Sequence, residues 1–178
     1  MRIISGTLRG KTIVPPSGFS ARPTTDFAKE SLFNILENRL DFSELNALDL
    51  FSGTGNISYE LASRGCVSID AVEMNTQHVT FIKKTVQNLK LRQIHAMRMN
   101  VFDFLEICTA QYDIIFADPP YDLQGVETLP QRISDKKMLK PDGYFILEHA
   151  ANYDFSSYPN FMEHRKYGAV NFSFFKGI

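Results

Sequence analysis

Asp49-Leu50-Phe51-Ser52-Gly53-Thr54-Gly55-Asn56 is the stretch that decides the fold. It ends an apolar run, Ala47–Phe51, and opens a helical segment, Ile57–Arg64, that stops at Gly65, a good helix C-cap. Gly53 and Gly55 permit a tight turn and a close approach of backbone to a ligand, while the following helix aims its first unpaired N–H groups at the same place. Strand, glycine turn and helix make half of a β-α-β unit, and the alternation continues. Val67–Glu73, Ile94–Met99, Asp113–Ala117 and Tyr144–Glu148 read as further strands. Between them lie a helix with Val79, Ile82, Val86 and Leu89 at spacings of three and four, a short one at Phe102–Ile107, and a weaker one at Leu129–Met138 with Pro130 in its first turn. The tail, Glu163–Phe175, is aromatic and β-branched around Gly168 and predicts a closing antiparallel hairpin. The fold class is therefore α/β, a mostly parallel sheet with helices on both faces.

The remaining arithmetic bounds this picture. A chain of 178 residues suits one domain with a small appendage, divided here into an amino-terminal arm, 1–46, and a main domain, 47–178. With 44% hydrophobic and 22% charged residues the chain is neither disordered nor fibrous. Two cysteines and four scattered histidines give no disulfide framework and no metal-ligand spacing, so no structural metal is expected. The sequence shows no membrane-length apolar run and no signal-peptide core at Met1–Gly6, which predicts a cytoplasmic protein. In the arm, Arg2–Val14 reads as a small β-hairpin with Gly6 and Gly10 as turn points, and Pro15-Pro16-Ser17-Gly18 breaks regular structure. A helix follows, capped by Thr24 or Thr25, with Ala28, Leu32, Ile35, Leu36 and Leu40 as its apolar stripe. The net charge of −1 conceals an asymmetry: residues 1–29 carry five cations against one anion, Asp26, so the other 149 residues sum to −5.

Two constellations carry chemistry. The first is the glycine turn together with Glu73, which ends the second predicted strand and can accept two hydrogen bonds from ribose hydroxyls. A pyrophosphate site fits poorly, because Ser58 stands where a third glycine would be and Asp49 would repel phosphate. Asp49 would instead attract an aminoacyl ammonium, which points to S-adenosylmethionine. Asn100 and Val101, after the third strand, are then placed to meet adenine, the amide oxygen of Asn100 accepting from the exocyclic amine. The same reading gives Phe51 and Met74 to the cofactor pocket.

The second constellation is Asp118-Pro119-Pro120-Tyr121, at the carboxyl end of a predicted strand, where open α/β sheets bind ligands. Prolines donate no N–H, which leaves carbonyl oxygens free to accept. An exocyclic amine that gives one hydrogen to Asp118 and the other to the Pro119 carbonyl is drawn toward a tetrahedral nitrogen whose lone pair can attack a sulfonium methyl. Tyr121 offers a face on which an unstacked base can lie.

Together these residues resemble the (D/N)PP(Y/F) class of S-adenosylmethionine-dependent N-methyltransferases. Arg2–Gly6, Arg9-Gly10, Arg22-Pro23-Thr24-Thr25-Asp26, Glu30–Asn34, Phe51–Gly55, Ser63-Arg64-Gly65, Glu73, Asp118–Tyr121 and Tyr167-Gly168 are similar in particular to the bacterial RsmD family of 16S ribosomal RNA guanine-N2 methyltransferases. The resemblance implies a Rossmann-like class I methyltransferase with a seven-stranded sheet. It also implies methylation of one guanine in small-subunit rRNA, within an assembled or assembling subunit, by a monomer. By position, Asp49, Gly53, Gly55, Glu73 and Asn100 would hold S-adenosylmethionine and Asp118–Tyr121 the guanine, while Arg9, Lys11 and Arg22 are the candidate RNA contacts. Phe27 stands where the family commonly has Arg, with Lys29 as a nearby cation, and Asn56-Ile57-Ser58 replaces small apolar residues and glycine. The competing functions are a DNA adenine-N6 or protein glutamine-N5 methyltransferase of the same motif class, and a non-catalytic RNA-binding assembly factor.

Overall fold

The computed structural model describes residues 1–19 and 25–178. Among them, seven strands form one sheet in the order β3-β2-β1-β4-β5-β7-β6. The strands are β1 (Asn46–Leu50), β2 (Ser68–Glu73), β3 (Ile94–Arg98), β4 (Tyr112–Ala117), β5 (Leu139–His149), β6 (Phe161–Tyr167) and β7 (Val170–Lys176). The first five pair in parallel, and β7 runs antiparallel between β5 and β6. The predicted closing hairpin is thus the β6–β7 pair, turning at Gly168 with φ of 62°. The helices are α1 (Asp26–Glu37), α2 (Asn56–Arg64), α3 (Thr76–Leu89), α4 (Val101–Ile107) and α5 (Leu129–Asp135).

The central strands are apolar on both sides because each side is covered. Ala47, Ile114 and Phe116 face a core shared with α1, α2 and α3, whereas Leu48, Ile115 and Ala117 face one shared with α4 and α5. Period-two alternation along a strand sends neighbouring residues to opposite layers. The turns agree with the sequence: Gly65 closes α2 at φ 115°, and Thr25 caps α1 by accepting from the Ala28 N–H.

The amino-terminal segment departs from a regular hairpin. It pairs with itself through a single bridge, Arg2 with Thr12, supported by Ile3 N–H to the Lys11 carbonyl (2.9 Å) and Gly10 N–H to the Ile3 carbonyl (2.8 Å). Its partner is α2 rather than a second strand. Glu60 accepts from the N–H groups of Ile4 (2.8 Å) and Ser5 (3.1 Å), and Ser63 accepts from Thr7 N–H through its carbonyl and from Leu8 N–H through its hydroxyl. Gly6 lies so close to α2 that a Cβ there would fall 1.8 Å from the Ser63 carbonyl oxygen. Ile3 and Ile13 are accordingly buried in the same core as α1 and α2.

The buried stripe of α1 also differs from its apolar pattern, because Lys29 joins Ala28, Leu32, Phe33 and Leu36, while Ile35 and Leu40 are only partly covered. The Lys29 ammonium donates to the Arg2 carbonyl (2.6 Å) and to Asn56 Oδ1 (2.8 Å) and lies 3.4 Å from Glu60 Oε2. Burial lowers its pKa, and the Glu60 carboxylate opposes that shift. Arg64 completes the group, donating from Nε to Glu60 Oε1 (2.8 Å) with its guanidinium over the Phe33 ring. Lys29, counted above as a cation of the basic arm, is therefore an internal ion.

Removing one member of a buried ion pair strands the other charge. Glu60→Ala should lower unfolding free energy by about 3–5 kcal/mol, measured by denaturant titration, and should free the arm to limited proteolysis. Gly6→Ala and Gly10→Ala both place alanine at positive φ, but Gly10 has nothing within 4 Å of its missing Cβ. The Gly6 substitution should therefore lower Tm well beyond its Gly10 counterpart.

Candidate active site

A cleft of about 670 Å³ opens at the carboxyl ends of β1, β2, β4 and β5. It is of ordinary size for a small-molecule site. Asp49, Phe51, Gly53, Glu73, Met74, Asn100 and Val101 line it, and so do Asp118, Pro119, Pro120 and Tyr121. Of the residues assigned to the two constellations, Gly55 alone is not on its wall. It acts from behind as the N-cap of α2 at φ 86°, where a Cβ would meet the Tyr59 ring at 2.8 Å. Arg9 and Lys11 are exposed on the amino-terminal turn, away from the lining, and Arg22 lies outside the described residues.

The first wall is built by Asp49, Phe51 and Glu73. Asp49 is buried, and its Oδ2 accepts from both the N–H (3.0 Å) and the hydroxyl (2.5 Å) of Ser58, which ties the end of β1 to the first turn of α2. Burial pushes its pKa up to about 7 against the opposing Ser58 hydrogen bonds. Phe51 sits at φ 57°, a left-handed conformation that costs a non-glycine residue free energy, and such positions cluster at ligand sites. Glu73 accepts from Gly53 N–H through Oε2 (2.8 Å) and from Asn75 N–H through Oε1 (2.7 Å), so the carboxylate and the glycine turn hold each other in place. Each of its oxygens keeps a second lone pair.

Asn100 caps α4, its Oδ1 accepting from Phe102 N–H (2.8 Å) and Asp103 N–H (3.4 Å). An adenine amine reaching that oxygen would share it with the cap. Val101 is the first residue of α4, where backbone N–H groups lack a partner within the helix.

The opposite wall is acidic. β4 and β5 pair Ala117 with Leu147, so the next residues, Asp118 and Glu148, stand side by side at the edge of the sheet. Glu148 is buried and lines the cleft. Burial raises the Asp118 pKa well above the usual carboxylate range, and the charges of Glu148 and Asp49 raise it further. Tyr121 is half exposed at the mouth.

Several lining residues were not read from the sequence. Glu148 ends an apolar strand and signalled nothing by spacing. Phe27, read above as a lost cation, lines the cleft with its ring edge-on to Tyr167 at 6.1 Å. The β6–β7 turn, Tyr167 to Val170, supplies another part of the wall. Three lining groups, Ser52 Oγ, Asn56 Nδ2 and His78 Nδ1, are buried with no hydrogen-bond partner among the described residues. Buried polar atoms of this kind call for a ligand or solvent partner.

Comparison with known proteins bears on the family and the fold. Residues 1–176 match the family described as Conserved hypothetical protein 95. The ribosomal RNA small subunit methyltransferase D of Haemophilus influenzae is 31% identical over 152 residues, covering 83% of this chain and 78% of the relative. The Bacillus subtilis protein YlbH is 33% identical over 153 residues, covering 84% of this chain and 82% of the relative. The structure of Escherichia coli yhhF superposes with a TM-score of 0.86 at 25% identity, over 99% of this chain and 97% of that one. On the extent of these matches, the chain belongs to the RsmD family of small-subunit ribosomal RNA methyltransferases.

Proposed function

We propose that the protein transfers a methyl group from S-adenosylmethionine to the exocyclic N2 amine of a guanine in 16S ribosomal RNA. The observation that carries this reading is the convergence of Glu73 and its glycine turn with Asp118-Pro119-Pro120-Tyr121 on one cleft. The relatives named as small-subunit rRNA methyltransferases support the substrate class. The wall residues fit the cofactor chemically. Glu73 suits the ribose hydroxyls, the unpartnered Ser52 and Asn56 groups suit its polar parts, and Asn100 with the Val101 N–H suits the adenine edge. Asp49 takes two roles, holding α2 through Ser58 and opposing the aminoacyl ammonium. When bound, the cofactor supplies an electrophilic sulfonium methyl.

The chain's own contribution is to hold the amine. Asp118 accepts one N2 hydrogen and the Pro119 carbonyl the other, which biases the nitrogen toward the geometry of attack. With the methyl group supplied by the cofactor's sulfonium, N2 would give up one proton, which Asp118 or water would take. Burial and neighbouring carboxylates make Asp118 a stronger proton acceptor than an ordinary aspartate. Tyr121 and Phe27, both exposed at the mouth, provide faces for the unstacked base. Arg9 and Lys11 contact phosphate, and the substrate is a protein-bound subunit on which a monomer docks.

Labelled S-adenosylmethionine incubated with small subunits lacking the modification should place label on guanine N2 by mass spectrometry; label on adenine, on DNA or on a protein glutamine would overturn the substrate. Asp118→Ala should lose turnover by two orders of magnitude or more, on the order of a lost transition-state contact, while keeping cofactor affinity. Glu73→Ala should chiefly raise the cofactor Kd. Asp49 must be ionised to oppose an ammonium, and its pKa near 7 means that a cation bound beside it releases a proton. Cofactor affinity, followed by titration calorimetry, should therefore weaken as pH falls below 7, with proton release on binding; Asp49→Asn should bind less tightly and flatten that dependence.

A further inference from the structure

No aspartate or glutamate occurs between Glu73 and Asp103, a stretch that holds Lys83, Lys84, Lys90, Arg92 and Arg98. A surplus of five charges thus lies inside the 149 residues that sum to −5. It occupies α3, the turn after it and the edge strand β3. All five side chains are exposed, and none makes an ion pair or side-chain hydrogen bond among the described residues. Elsewhere on the surface Arg39, Arg132, Lys136, Lys140 and Lys176 each hold a carboxylate, while Arg9, Lys11, Lys137 and Lys166 do not among the described residues. A surface that is merely solvated interleaves both signs in this way, whereas an uncompensated single-sign face is an electrostatic footprint for a polyanion.

Its position gives it a direction. Arg98 pairs in register with Glu73 and stands two residues before Asn100, so the cations begin at the rim of the cleft. They continue along α3, whose 14 residues span about 21 Å. The residues of α3 that face outward beside Lys83 and Lys84 are Gln77, Thr80, Gln87 and Asn88, all polar, with no large exposed apolar side chain in the helix. A helix that lies on a membrane needs such an apolar face, and this one instead offers amides and a hydroxyl of the kind that bind phosphate oxygens. α3 also lies on the sheet face that carries the amino-terminal segment. Ile82 and Ile94 share a core with Ile3 and Ile13, and Phe19 stacks on His78 at 5.1 Å and meets Phe81 edge-on. The unpaired cations Arg9 and Lys11 are therefore on the same side of the molecule.

We propose that the outer face of α3 with the β3 edge is a second RNA-binding surface, which grips the phosphodiester backbone leading away from the base held in the cleft. The proposal rests on the reading of the cleft as an rRNA methyltransferase site. The variant Lys83→Gln, Lys84→Gln, Lys90→Gln, Arg92→Gln tests it without touching a cleft residue. Its affinity for small-subunit RNA should fall at least about tenfold at physiological salt, and the slope of log affinity against log salt should become shallower by about three, from four lost phosphate contacts. KM for subunits should rise, while kcat, S-adenosylmethionine affinity and Tm stay at the wild-type values. Lys137→Gln with Lys166→Gln, outside this surface, should leave the slope unchanged. A four-site variant with the wild-type slope and KM overturns the proposal, as does one that loses binding to anionic phosphatidylserine vesicles instead of RNA. If the wild type binds RNA with the steep slope but methylates a group other than guanine N2, the cleft reading fails and the surface stands. If guanine N2 is methylated and the slope does not move in the variant, the surface fails and the cleft reading stands.

Discussion

The carboxylate of Glu60 is the point from which the arrangement of the first two helices follows. It is buried in α2, accepts from two backbone N–H groups of the amino-terminal segment, opposes the Lys29 ammonium of α1, and takes the Arg64 guanidinium on its own helix. An isolated charge at that depth would be expelled from the fold, so each partner is there because the others are. The consequence reaches the cleft, since Lys29 also donates to Asn56, the first residue of α2 and a wall residue. The arm, α1 and the glycine turn are thereby one electrostatic unit, fixed relative to the end of β1 by Asp49 and Ser58.

The cleft itself is acidic on both sides, with Asp49 and Glu73 on one wall and Asp118 and Glu148 on the other. Like charges held close raise one another's proton affinity, and burial adds to it. A ligand that carries an ammonium and a sulfonium relieves this tension, whereas its demethylated product has lost the sulfonium charge. The same electrostatics that favour protonation of these carboxylates favour a charged cofactor over the spent one.

Much of this was legible in the sequence because it is local. The strand–turn–helix around Gly53 and Gly55, the proline pair after Asp118 and the closing hairpin around Gly168 each depend on short-range backbone preferences, and each appears where those preferences put it. What was illegible depends on tertiary neighbours. Lys29 reads as a surface cation because nothing in the stripe of α1 reveals that Glu60 will lie opposite. Glu148 reads as the end of an apolar strand because its meaning comes from the register of β4 and β5. Asn100 was read as a ligand acceptor, and its oxygen is the cap of α4, a competition that only the formed helix decides. The charge balance failed for another reason: averaging over 149 residues cancelled a cationic edge against an acidic cleft.

The β6–β7 turn has a consequence for the order in which the site comes into being. Tyr167 to Val170 form part of the cleft wall, and β7 inserts between β5 and β6 in the sheet. During synthesis the glycine turn, Glu73 and Asp118 all emerge before this last piece, so a nascent chain carries them in a trough that still lacks one wall. Only when Val170 has left the ribosome and β7 has threaded between its neighbours does the trough become an enclosure. The wall that the β6–β7 turn supplies is thus the last part of the cleft to be made.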